Sequence, residues 1–82
     1  MNIPKDLTGK PLSPGDTVEV KEIPVELLRD LPAVDQAAIR NKVGANVKIT
    51  SFDVAGNAEL EFSEPDNQFR TIWIAPRCLK KR

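Results

Sequence analysis

From Gly44 to Leu79 the apolar side chains fall mostly on every second position, and this period commits the second half of the chain to β-strands. The stretch reads G-x-x-V-x-I-x-x-F-D-x-x-G-x-A-x-L-x-F, then an acidic turn, then I-W-I-x-P-x-x-L, which describes three short strands wound into a small barrel. Val47 and Ile49 point one way, and Phe52 breaks the alternation. A bulge or strong coil near Thr50 and Ser51 is therefore needed if all three are buried. Asp53 to Asn57, with Gly56 free to take positive φ, makes a hairpin turn. Ala58, Leu60 and Phe62 follow on the inward face, with Glu59 and Glu61 outward. Glu64 to Gln68, carrying Pro65, closes the next hairpin.

Strand four, about Phe69 to Ile74, poses a parity choice, because Ile72 and Ile74 share one face while Phe69, Thr71 and Trp73 share the other. Two β-branched residues flanking one position favour the isoleucines as core, leaving Trp73 outside beside Glu59, Glu61 and Arg70. The alternative packs Trp73 under a helical segment. Ala75 to Leu79 reads as a tight turn into a last strand that closes on strand one.

The first half is organised differently. Met1 to Gly15 carries three prolines and two glycines, so residues 1–15 read as an extended lead-in that wraps or frays. Pro14-Gly15 turns into a strand over Asp16 to Glu22, with Val18 and Val20 on its buried side. Between about 24 and 43 the period changes to that of helices. Pro24 opens a short helix with Leu27 and Leu28, and Pro32 opens a second that runs to about Lys42 and is capped by Gly44. The second helix has two apolar stripes. Ile39 and Val43 are chosen as core, which leaves Val34 and Ala38 partly exposed unless the lead-in covers both stripes.

At 82 residues and 40% hydrophobic content the chain supports one domain. Twelve basic and twelve acidic residues cancel, so no net field draws the protein to nucleic acid or an anionic membrane. The start of the chain lacks a signal-peptide pattern, and no span suits a bilayer, so a soluble cytoplasmic protein is expected. Charge is nonetheless segregated: Asp53 to Asp66 holds five acids and no base, and Arg70 to Arg82 five bases and no acid.

Reactive chemistry finds few hosts. There is no histidine to serve as a base, and no phosphate-loop or metal-ligand pattern. Asp53 to Asn57 is too poor in acids for a calcium loop, so no cofactor and no metal are expected. The one cysteine, Cys78, lies near Arg77 and Lys80, which would favour a thiolate, yet a lone cysteine on a closing turn more commonly serves packing. Glu59 and Glu61 share a strand face at a spacing open to acid–base work. A solvated face paired to Lys48 and Arg70 is the simpler account.

The region from Asp16 to Val20 together with Val43 to Leu79 resembles an SH3-like small β-barrel of five strands, with a helical insertion of one or two short helices after the first strand. The ending Trp73, Ile74, Pro76 and Leu79 resembles the strand, tight turn and final strand of that class. The chain also resembles short uncharacterised bacterial proteins carrying D-L-P, A-I-R, V-G, A-E-L-E-F and I-W-I-x-P, here at Asp30 to Pro32, Ala38 to Arg40, Val43 to Gly44, Ala58 to Phe62 and Ile72 to Pro76. It departs from the peptide-binding SH3 domains. Those seat polyproline helices on tyrosines and a tryptophan, whereas this chain has no tyrosine and places Leu79 where one is expected, so only Pro76 of that groove carries over.

The expectation is a noncatalytic interaction module or accessory subunit that docks on a larger protein, not an enzyme. Its interface would comprise Trp73, Arg70, Glu59, Glu61, Val34 and Ala38, an aromatic ringed by mixed charge. The alternative is weak RNA or DNA binding through the basic residues Arg77, Lys80, Lys81 and Arg82.

Overall fold

The computed structural model describes residues 3–63 and 69–82. Among these residues five strands form one antiparallel sheet: β1 (Thr17–Val20), β2 (Asn46–Phe52), β3 (Ala58–Ser63), β4 (Phe69–Ile74) and β5 (Leu79–Lys81). Their order is β4-β3-β2-β1-β5, so the last strand returns to pair with the first, with Val20 opposite Leu79 and Val18 opposite Lys81. Two short helices, α1 (Val25–Leu28) and α2 (Ala33–Arg40), lie between β1 and β2. The hairpin expected at Glu64 to Gln68 lies outside the described residues.

Alternation places the core as the sequence implies. Val18, Val20, Ile49, Leu60, Ile74 and Leu79 are each 1% exposed or less, while Glu61, Thr71 and Trp73 face outward. The parity break in β2 is a bulge. Ile49 pairs with Leu60 and Ser51 with Glu59, so Thr50 is the extra residue, and the shift restores Phe52 to the inner side opposite Ala58. The Thr50 hydroxyl donates to the Glu59 carbonyl at 3.2 Å and also to the Glu59 carboxylate, which pins the bulge to β3.

The helices begin where the prolines dictate, with Pro24 and Pro32 as their N-caps. Leu28 and Ile39 reach the core. Two expectations fail here. Val43 is 49% exposed instead of buried, and Gly44 does not cap α2, which ends at Asn41. Both follow from the early end of the helix. After Arg40 the chain tightens, with Lys42 N–H on the Ile39 carbonyl and Val43 N–H on the Arg40 carbonyl. The four-residue spacing that would align Val43 with Ile39 is lost. Gly44 instead joins β1, its N–H donating to the Val20 carbonyl at 2.7 Å. The first strand is also shorter than Asp16 to Glu22, since β1 stops at Val20.

The lead-in is more ordered than an extended arm. It folds back on itself, with Lys5 bridging Pro11, Leu12 N–H bonded to the Pro4 carbonyl, and Leu12 buried. Its turn repeats the hairpin turn between β2 and β3. In both, D-x-x-G-x closes through the aspartate N–H to the fifth carbonyl and the glycine N–H back to the aspartate carbonyl, and the carboxylate accepts the third and fifth N–H groups. The glycines, Gly9 at φ 89° and Gly56 at φ 88°, take a conformation that other residues adopt only with strain. The same five-residue pattern at 6–10 is visible in the sequence and marks the turn that the proline count obscures.

Candidate interaction surface

Trp73 stands on the outer face of β4, 41% exposed, directly opposite Glu59 of β3. Its ring borders two surface grooves. One, of about 360 Å³, runs among Pro24, Glu26, Leu27, Asn57, Ala75 and Arg77, so it carries one charge of each sign. The other, of about 320 Å³, runs among Leu27, Leu31, Ile39, Arg70 and Ile72. Trp73 is thus an outward residue that also lies beside the insertion, because β4 is the outermost strand and α1 with its following turn comes up next to it. The choice between outside and under the helices, posed from sequence, dissolves at a sheet edge.

The other expected interface residues gather only in part. Glu59 adjoins Trp73, but its carboxylate is engaged by Thr50 and by the Ser51 hydroxyl at 3.4 Å, so it braces the bulge. Glu61 is exposed opposite Thr71. Arg70 is not on the Trp73 face. It lies opposite Phe62, and its guanidinium reaches α2, where Nη2 meets Asp35 Oδ1 at 3.2 Å. The ion pair ties the start of β4 to the insertion and leaves the neighbouring Val34 75% exposed; Ala38 is half-buried. The sequence reading omitted Leu27 and Leu31 from the interface. It also omitted Phe69, 68% exposed, although strand parity alone sets Phe69 on the face of Trp73.

The basic end of the chain is occupied at two of its four positions. Lys81 Nζ lies 3.5 Å from Asp16 and Arg82 3.3 Å from Glu19, while Lys80 and Arg77 are exposed. Cys78 is buried, and its thiol donates toward Glu22 at 3.7 Å. Burial pushes its pKa up and the Glu22 carboxylate adds to this, with only partial relief from Arg77, so the thiol form is favoured. Among the described residues no three Cys, Asp or Glu side chains converge as a metal cage would need. No helix among them is long and apolar enough to cross a membrane.

Among the described residues one charged side chain is buried, and it lies beside β5, at the other end of the strand order from β4. Asp6, 4% exposed, accepts from the Thr8 N–H and hydroxyl, from Lys10 N–H, and from Lys81 N–H at 2.7 Å. Burial alone would raise its pKa. The bond from Lys81 and the three from Thr8 and Lys10 outweigh it and hold the carboxyl well below the ordinary aspartate range. Asp53 is lowered likewise, chiefly by the Asn57 N–H. No family model, curated protein or solved structure matches the chain.

Proposed function

We propose that this protein is a noncatalytic interaction module, an accessory subunit whose five strands close as an SH3-like small barrel and which docks on a larger protein through the Trp73 edge. One observation supports this above the rest. A large aromatic is held half out of water between two grooves, one lined mainly by apolar side chains and the other mixed, with Glu26 and Arg77 in its wall, on a framework tied down by the Arg70–Asp35 pair and the Glu59 contacts. Tryptophan in such a setting removes much apolar surface from water on docking and loses little side-chain freedom, which is why it anchors interfaces.

The test is affinity capture from the native host at low salt, with wild-type protein and a Trp73→Ser variant side by side. The expected result is a protein recovered by the wild type and lost by the variant. Equal recovery by both, or recovery of nucleic acid instead, would reject the reading.

A further inference from the structure

Side chains alone fasten α2 to the sheet. Among the described residues no backbone hydrogen bond joins 32–43 to a strand; the turn and cap bonds of this segment run to the Pro32, Ala37, Ile39 and Arg40 carbonyls, all within it. Ile39 is its one buried residue. Its further ties include the Arg70–Asp35 pair at 3.2 Å and the Lys42 ammonium, 5.3 Å from the centre of the Phe62 ring. Contacts of this kind at a part-exposed surface contribute little each. A helix of eight residues does not persist in water by itself, so α2 exists because it is docked.

Its ends are built for release. Pro32, the N-cap, has no N–H to lose, and just beyond the segment the Gly44 N–H on the Val20 carbonyl and the Val20 N–H on the Ala45 carbonyl pin the chain to β1. The ground beneath α2 is shallow as well. Ile39 lines a surface groove with Ile72, and Phe62 lies under Lys42; Phe62 and Ile72 are the least deeply buried core side chains among the described residues.

We propose that segment 32–43 is a releasable cover: α2 detaches and melts as a unit while the five-stranded sheet and α1 stay folded, uncovering Phe62 and Ile72. Release takes Ile39 out of the core and bares part of two other side chains, whereas global unfolding exposes the whole core, so release is the smaller opening. It belongs to the isolated chain and needs no partner.

Hydrogen exchange of the intact chain in low urea reads this opening. The amides of 37–43 are expected to share one protection level, at least about tenfold below that of β1 to β3, with a shallow urea dependence because little surface opens. Gly56→Ala separates release from global unfolding. Gly56 sits in the β2–β3 hairpin, which stays formed on release, so strand exchange should rise about five- to thirtyfold while exchange over 37–43 is unchanged. An Ile72→Cys thiol in a Cys78→Ala background should be labelled through the same opening, at a rate that Gly56→Ala also leaves unchanged. Exchange over 37–43 that rises with the strands in Gly56→Ala would overturn the proposal. So would a urea dependence over 37–43 as steep as that of the strands, which needs no substitution, or protection that is graded from the ends of α2. An Ile72→Cys thiol that follows the strands would overturn the uncovering.

Discussion

Single residues carry two separable tasks here, anchoring and turning. Asp6 anchors: one carboxylate satisfies N–H groups from its own turn and from Lys81 at the far end of the chain. Asp6→Ala leaves those partly buried donors without their acceptor and is expected to cost about 2 kcal/mol at neutral pH, measured by urea unfolding. Its pH dependence has a defined sign. The folded carboxyl has a depressed pKa, so its contribution is fully present above the unfolded value of about 4 and is lost as pH falls through the folded value. The stability gap between wild type and Asp6→Ala should therefore shrink on acidification below about pH 4, and a gap that widens there would contradict the assignment. Gly56 turns. Nothing lies within 4 Å of where a Cβ would stand, so Gly56→Ala isolates the backbone cost of positive φ, about 1–2 kcal/mol by the same measurement.

Within elements, the insertion and the lead-in differ most from a local reading. Ile39 and Val43 are four residues apart, yet one is 3% and the other 49% exposed, because α2 stops between them. Ile39→Ala should destabilise by about 3 kcal/mol and Val43→Ala by less than about 0.5. Comparable losses at both sites would show that the helix continues. The strands were more legible. The break between Ile49 and Phe52 required an extra residue near Thr50, and Thr50 is that residue. Trp73 and Glu59 were placed on the outer face by counting alone, while Arg70 was assigned to that face against its own parity. Leu27 and Leu31 carried no comparable signal, since their place beside Trp73 depends on where α1 comes to rest.

For the whole molecule, the core joins the strands to both helices and to the lead-in, with Leu12, Leu28 and Ile39 packed among strand residues. Cys78 lies inside it, next to the strand that closes the sheet, and its carbonyl accepts the Lys21 N–H. The thiol should react with a neutral disulfide reagent only through global opening. The labelling free energy is then expected to equal the unfolding free energy from urea, and much faster labelling would reveal a local opening of β5.

Alternation, proline positions and turn chemistry were enough to locate the strands, their faces, the bulge, the hairpin at Asp53 to Asn57 and an outward Trp73, because each depends on neighbours a few residues away. Folding in three dimensions settled the burial of Asp6 and the grooves flanking Trp73. Those features arise where Asp6 meets Lys81 and Asp35 meets Arg70, pairs far apart along the chain, and no short-range period encodes such a meeting.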